Sequence, residues 1–174
     1  DLSRQKRDRA RLERQVAELN TLAEVANIAS SAQDLDGLLK ASVDRVAEIV
    51  GADTCYVTLW DERRGQVVFS AASGPDHERF RALAPSGREE EPSLPGTALA
   101  EGHPVIVHDY PHSRYYRSRL VFNAPLQSVL ALPLIGNEQK LGGLVIGYFR
   151  PHTFSPEEVG TLERAANLIA LSVG

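Results

Sequence analysis

The stretch Leu35–Ala72, LDGLLKASVDRVAEIVGADTCYVTLWDERRGQVVFSAA, decides the fold because its hydrophobic period changes partway along. Its first half repeats apolar residues at helical spacing, follows a good N-cap at Asp34 and ends at Gly51. Beyond that glycine the period falls to two, and two runs rich in β-forming residues, Thr54–Trp60 and Gln66–Ala72, flank a polar turn. The sequence therefore predicts a helix followed by a β-hairpin.

The rest of the chain adds strands and then a helix. Further strands are predicted at Pro104–His108, Ser128–Ile135 and Leu141–Phe149, with short helices near 78–83 and 97–101. The last helix is predicted to begin with Ser155 as its N-cap and Pro156 at the first helical position, and Glu158 completes a capping box. An apolar stripe then continues along this helix to Val173. Helices at both ends and strands between them indicate an α+β fold, in which an antiparallel sheet of five or six strands has the terminal helices on one face.

Residues 1–18 are predicted to be an N-terminal helix extension, which continues as one helix to about Ser31. Its upstream part is too polar to be buried in its own domain, and two interpretations stay open: a solvated, fraying end, or a parallel coiled coil that continues from a missing upstream element. We expect a parallel homodimer through the terminal helices. The predicted interface residues are Leu12, Leu19, Leu22, Ala26 and Ile169.

Composition excludes several classes of protein. The chain has 174 residues, a net charge of −4 and a single cysteine, which rules out an internal disulfide framework and a multi-thiolate zinc site. The acidic balance argues against nucleic acid as a partner, and the absence of a long apolar run or a signal peptide predicts a cytoplasmic protein without membrane contact. The chain begins Asp-Leu-Ser and contains no methionine, so we expect a piece of a longer protein.

The chain resembles a GAF domain, a sensory and dimerisation module of signalling proteins such as bacterial sensor histidine kinases. The resemblance covers about 19–173 and is carried by five segments in order: IVGAD (Ile49–Asp53), CYVTLWDERRGQVVFSAASG (Cys55–Gly74), LPGTALAEGHPVIVHD (Leu94–Asp109), SVLALPLIGNEQKLGGLVIGYF (Ser128–Phe149) and FSPEEVGTLERAANLIALSV (Phe154–Val173).

The resemblance implies a GAF domain at 19–174 with a profilin-like central antiparallel sheet. The N- and C-terminal helices would lie on one face, and a pocket on the other would be roofed by the irregular segments 73–95 and 109–123. It also implies a non-catalytic sensory or regulatory module of a multidomain signal-transduction protein, for example of a two-component system. Such a module would bind a small ligand, or relay a signal through dimeric helices, to a covalently linked kinase, cyclase or phosphatase output domain.

Other functions stay open at this point. They are a haem- or other cofactor-binding redox or gas sensor, and a free-standing small-molecule-binding protein or enzyme with an unrecognised site. No nucleotide-binding glycine loop, metalloprotease or hydrolase motif is present in the sequence, so no catalytic residue is assigned.

The aromatic and basic stretch 109–119 is the candidate ligand-contact segment, because Tyr and Arg can stack on a planar ligand or bind an anion. The alternative is a loop whose tyrosines pack on the sheet while its arginines stay solvated. The candidate ligand-binding residues are Tyr110, His112, Tyr115, Tyr116 and Phe122.

No cofactor or metal is expected. Cys55 lies within the first strand, where a buried, inert residue is predicted, so covalent bilin attachment is disfavoured. Relatives that reduce methionine sulfoxide work through several cysteines, which this chain lacks. Relatives that bind cyclic nucleotides carry an Asn-Lys pair, and Tyr148-Phe149 stands near that position here. The sequence therefore does not support binding of a cyclic nucleotide. The histidines are predicted to be surface or loop residues, although ligation of haem by one of them stays open: His77, His103, His108, His112 and His152.

Overall fold

The computed structural model describes residues 2–31, 34–83, 93–116 and 125–173. The helices of these regions are α1 (Leu2–Ser31), α2 (Leu35–Val50), α3 (Asp76–Leu83), α4 (Leu94–Glu101) and α5 (Pro156–Val173). The strands are β1 (Thr54–Asp61), β2 (Gln66–Ala72), β3 (Val105–Val107), β4 (Ser128–Gly136) and β5 (Gln139–Tyr148).

The five strands form one sheet in the order β2-β1-β5-β4-β3, and every neighbouring pair is antiparallel. The central strand β5 pairs with β1 on one side and with β4 on the other. The predicted α+β fold with an antiparallel sheet is confirmed.

Local signals explain most of the helix bounds. Asp34 accepts a hydrogen bond from the backbone N–H of Gly37, and Gly51 ends α2 in the left-handed region at φ 65°, as the sequence predicts. Helix α4 begins at Leu94, three residues before the prediction, because the Ser93 hydroxyl caps it by accepting from the Gly96 N–H at 3.0 Å. His77, predicted to lie in a loop, lies instead in the first turn of α3.

The sheet has two differently covered faces, because successive side chains of a strand point to opposite sides. On β1, Cys55 and Val57 face the first core, which packs against α2 and α5. Helix α1 packs on α2 and α5. The terminal helices therefore cover one face, as predicted. Tyr56 faces the second, smaller core on the opposite side, together with Leu94 and Ala98 of α4.

Glycines of β5 allow close approach on the second face. A Cβ at Gly143 would lie 2.7 Å from the Cβ of Pro95, and one at Gly147 would lie 2.6 Å from Leu126. A Cβ at Gly142 would overlap the carbonyl oxygen of Thr58 on the neighbouring strand. Gly143 therefore lets α4 approach the sheet closely, since Pro95 belongs to that helix.

Candidate functional site

An aromatic cluster covers the second face of the sheet. Tyr56 and Tyr110 are buried there, with Phe69, Tyr115 and Phe149 packed partly buried against the same core. Tyr110 is held by its own backbone, whose N–H donates to the Gln127 carbonyl at 2.9 Å, and by its hydroxyl, which donates to the Tyr115 carbonyl at 3.0 Å. These residues give this face of the sheet an aromatic surface.

The structure brings together three of the five predicted ligand-binding residues. Tyr116, which is 47% exposed, meets the ring of Tyr110 edge to face at 5.9 Å, and Tyr115 packs beside them. His112 is exposed, and its Nδ1 lies 2.9 Å from the carboxylate of Asp109. Phe122 lies outside the described residues. Whether these side chains contact a ligand stays a prediction.

A buried polar pair, Asp76 and Thr54, lies beside the aromatic cluster. Asp76 is 5% exposed and Thr54 is fully buried. Among the residues that the structure describes, neither Asp76 Oδ1 nor Thr54 Oγ1 makes a hydrogen bond of ordinary geometry, although the Thr54 hydroxyl lies close enough to interact with the carboxyl group. The guanidinium of Arg79 lies 3.8 Å from Oδ1, which is too far for a hydrogen bond.

Burial raises the pKa of the Asp76 carboxyl above its ordinary value, and the Thr54 hydroxyl and the Arg79 charge each act in the opposite direction. The sequence does not reveal this pair. An aspartate in the first turn of a short helix is an ordinary feature of helix N-termini, and only the tertiary structure places it against the first residue of β1.

Cys55 is buried and most of the histidines lie at the surface or in loops, as the sequence predicts. Cys55 is fully buried, and burial, with a smaller effect from the charge of Asp44, raises the pKa of its thiol. His103 and His108 are exposed. Within the described part of the chain, no group of three or more His, Cys, Asp or Glu side chains could hold a metal ion.

His152 takes part in a cluster that the sequence did not reveal. Its ring stacks on Tyr148 at 3.9 Å between centroids, and its Nε2 lies 3.0 Å from the Glu158 carboxylate. The Tyr148 hydroxyl donates to the carbonyl of Val50 at 2.9 Å. The cluster joins the ends of β5 and α2 to the start of α5. Glu158 was predicted to complete a capping box, but its carboxylate contacts this cluster.

A cleft of about 690 Å³ lies at another end of the sheet. Trp60 of β1, Leu99 of α4 and Leu141 of β5 contribute to its walls, and Val173 at the end of α5 closes one side. Trp60 is 37% exposed there. This cleft could not be predicted from the sequence, because its walls come from four elements that are distant along the chain.

The first half of α1 carries an apolar stripe that is exposed in the single chain. Leu12, Val16 and Leu19 are 60%, 55% and 66% exposed. Of the other predicted interface residues, Leu22 is half-buried, Ile169 is 1% exposed in the core of its own chain, and the side chain of Ala26 lies outside the described part of the structure. Val16 was not predicted, although it follows Leu12 by four residues and precedes Leu19 by three. None of the described helices is long and apolar enough to cross a membrane.

Comparisons with known proteins agree with the architecture. The family model for the GAF domain matches residues 32–173, which is most of the chain. No curated protein matches the sequence.

Solved structures with the same fold come from proteins of different kinds. The GAF domain from a phosphoenolpyruvate-protein phosphotransferase of Coxiella burnetii is 25% identical with a TM-score of 0.79, and the alignment covers 91% of this chain and 93% of that one. A free methionine-R-sulfoxide reductase of Neisseria meningitidis, in complex with its substrate, is 17% identical with a TM-score of 0.71, covering 90% and 87%. A domain of a putative two-component sensor histidine kinase from Sinorhizobium meliloti is 22% identical with a TM-score of 0.62, covering 82% and 92%.

Proposed function

Because this chain belongs to the GAF domain family, we propose that it is a non-catalytic sensory or regulatory module of a larger cytoplasmic signalling protein. In this proposal the second face of the sheet binds a small ligand, and α1 and α5 pair with a second copy of the chain. The helices then pass the signal to a covalently linked output domain.

The observation that carries this proposal is the exposed apolar stripe of Leu12, Val16 and Leu19 on α1. Three large apolar side chains on one face of an otherwise charged helix favour contact with another apolar surface. A second copy of the same helix supplies such a surface, since 4-3 spacing is the pattern of a coiled-coil seam. Leu171, which is 58% exposed, is an exposed apolar side chain on the second terminal helix, α5.

The two terminal helices are also linked to each other in a way suited to relay. Arg14 lies 3.7 Å from Glu157, and Glu18 pairs with Arg164, so residue numbers rise together along both helices. The helices are therefore parallel neighbours. A change in the position of α5 on the sheet would move α1 with it, and the helix geometry of a dimer would change.

The burial of Cys55 supports a non-catalytic role. It is the one cysteine of the sequence, it is fully buried in the helix-side core, and its raised pKa disfavours the thiolate that cysteine chemistry needs. The likeness to the sulfoxide reductase, at 17% identity, concerns the fold alone. The exposure of His103 and His108 likewise gives no support to haem ligation.

Disulfide cross-linking tests the proposed dimer directly. In a parallel dimer through the stripe, the two copies of Val16 face each other, so Val16→Cys should form an intermolecular disulfide under mild oxidation. The matched control is Arg7→Cys, which is exposed on the opposite side of the same helix. Buried Cys55 should not interfere. Equal cross-linking of both variants, or of neither, would contradict pairing through this stripe.

A further inference from the structure

We propose that the cleft between the ends of β1 and β5 binds a small aromatic carboxylate, with its ring against Trp60 and its carboxylate on Lys140. The cleft is separate from the aromatic cluster of the second face, because none of the five rings of that cluster lines it. Along β1, Trp60 lies four residues beyond Tyr56, which is about 13 Å along the strand. The inference therefore goes beyond the proposed function and does not rest on it.

The cleft lies where two neighbouring strands stop pairing. Pairing between β1 and β5 ends at Leu59 and Gly142. Strand β1 nevertheless continues to Asp61, and β5 already begins at Gln139. Residues of both strand ends line the cleft, so the concavity belongs to the fold of the sheet itself.

A β-bulge in β5 lies at the same place. Two consecutive residues of β4, Leu134 and Ile135, are opposite Gly142 and Lys140 of β5. Leu141 is therefore an extra residue between them that has no partner on β4. A bulge bends its strand and redirects a side chain, and bulges are frequent beside functional sites. Leu141 lines the cleft, so the irregular backbone and the cavity coincide.

The walls of the cleft favour a flat, apolar ligand body. Leu59, Leu141 and Val173 are only partly buried there, and Trp60 is 37% exposed. An exposed indole in a concave site offers its face or edge to a second aromatic ring. The volume of about 690 Å³ is within the range of about 300–1,000 Å³ that is usual for small-molecule sites. An aryl-alkyl body therefore suits this site better than a sugar-like, fully polar one.

Lys140 supplies a positioned positive charge in the lining. Its ammonium donates a hydrogen bond to the Ala100 carbonyl at 3.2 Å, which holds it beside the end of α4. An ammonium group carries three hydrogens, so two stay available for a ligand. In the part of the chain that the structure describes, no carboxylate forms an ion pair with Lys140. A ligand carboxylate would supply the missing charge partner.

Glu62 is the negatively charged residue of the lining, and its position weakens its effect on an anion. It lies in the exposed turn after β1, directly before Arg63 and Arg64. Within the described ranges no hydrogen bond or ion pair holds its carboxylate at the cleft, so it is free to turn toward solvent. Gln139 adds a neutral amide that can donate to a carboxylate. The lining as a whole therefore favours an anion over a cation.

The fluorescence of Trp60 tests the site directly, because it is the single tryptophan of the sequence. The probes are 4-phenylbutyrate, the neutral 4-phenylbutyramide and the cationic 4-phenylbutylamine, which share one aryl-alkyl body. We expect 4-phenylbutyrate to change the Trp60 emission saturably and to give the same Kd by titration calorimetry. It should bind about tenfold more tightly than the amide or the amine, because it alone forms a charge-assisted hydrogen bond with Lys140.

Substitutions of Lys140 separate the charge from the apolar walls. Lys140→Met keeps a long side chain without the ammonium, and it should bind the carboxylate and the amide about equally. Lys140→Arg keeps the charge and should retain the preference for the carboxylate. The matched control is Lys6→Met, which removes an exposed lysine of α1 upstream of the start of α5, whereas the cleft adjoins the end of α5 at Val173. This control should behave as the wild type does.

Three results would overturn the inference. The first is calorimetric binding without a change in Trp60 emission, which would place the ligand elsewhere. The second is equal affinity of the wild type for the three probes, tightest binding of the amine, or a carboxylate preference that persists in Lys140→Met. The third is failure of all three probes to bind at millimolar concentration. None of these results bears on the dimer, which the cross-linking of Val16→Cys tests separately.

Discussion

Glu18 on α1 forms an ion pair with Arg164 on α5, one turn of α1 beyond the pair between Arg14 and Glu157. The two pairs fix the helices side by side in parallel and show where α5 begins along α1. From Arg14 back to Leu2, α1 continues for about 18 Å at 1.5 Å per residue. All of its side chains in that part are exposed, so this segment extends past the start of α5.

We expect the Glu18–Arg164 pair to contribute little stability and mainly to set the register of the two helices. The side chain of Glu18 is 34% exposed and that of Arg164 is 48% exposed. Ion pairs at such exposed positions contribute about 0.2–1 kcal/mol to stability. A double-mutant cycle with Glu18→Gln and Arg164→Gln, measured by urea unfolding, should give a coupling in this range. A coupling well above it would mean that the pair is a principal anchor of α1.

Cys55 should be unreactive in the folded protein. Its side chain is fully buried and its pKa is raised, so the native protein should not react with a chromogenic disulfide reagent on the minute timescale, whereas the protein in guanidinium should release one equivalent of thiolate. Turnover of free methionine-R-sulfoxide with a thiol reductant should also be absent. Rapid native labelling or measurable turnover would contradict the non-catalytic proposal.

Gly142→Ala should be strongly destabilising. The added Cβ would overlap the carbonyl oxygen of Thr58 in the adjacent strand, and backbone atoms of a sheet cannot move aside cheaply. We expect a loss of about 3 kcal/mol or more in the free energy of unfolding.

Gly160→Ala is the matched control for that substitution. It lies within α5, where the nearest atom to an added Cβ is 3.6 Å away on the flexible Arg164 side chain. It should stabilise the protein by about 0.5–1 kcal/mol through helix propensity. Similar losses for the two variants would show that the close approach between β5 and β1 is not the cause.

The charge of Asp76 should lower stability at neutral pH. Burial raises the pKa of the folded carboxyl above its ordinary value of 3.8, so the folded state binds the proton more tightly than the unfolded state. The free energy of unfolding of the wild type therefore falls, relative to Asp76→Asn, as the pH rises through the raised pKa. Asp76→Asn should be the more stable protein at pH 7, and the difference should shrink below the ordinary pKa. Denaturant titrations between pH 3 and pH 7 measure this, and a wild type that is more stable at pH 7 would contradict it.

Much of the fold could be predicted because its signals are local. The cap at Asp34, the stop at Gly51 and the alternation of Thr54–Trp60 are each contained within a few residues, and the observed elements follow them. The early start of α4 was missed because the capping residue, Ser93, looks like any loop serine until its hydroxyl is seen to accept from Gly96.

The candidate site was less predictable because it depends on tertiary contacts. Tyr110 and Tyr115 could be selected from an aromatic-rich segment, but Asp76 and Thr54 are separated by more than twenty residues and neither belongs to a recognisable motif. Nothing in the sequence distinguishes an aspartate that is exposed at a helix start from one that is buried against a strand. The same holds for Val16, whose exposure depends on which face of α1 packs against α5.

The most direct test of the proposed helix-mediated signalling module is its mass in solution. Size-exclusion chromatography with light scattering at tens of micromolar should give a dimer for the wild type, whose subunit mass is 19.0 kDa. Leu19→Asp places a charge in the exposed stripe and should give a folded monomer, whereas Arg7→Asp on the opposite face should remain a dimer. A wild type that is monomeric under these conditions, or a dimer that Leu19→Asp leaves intact, would contradict the account.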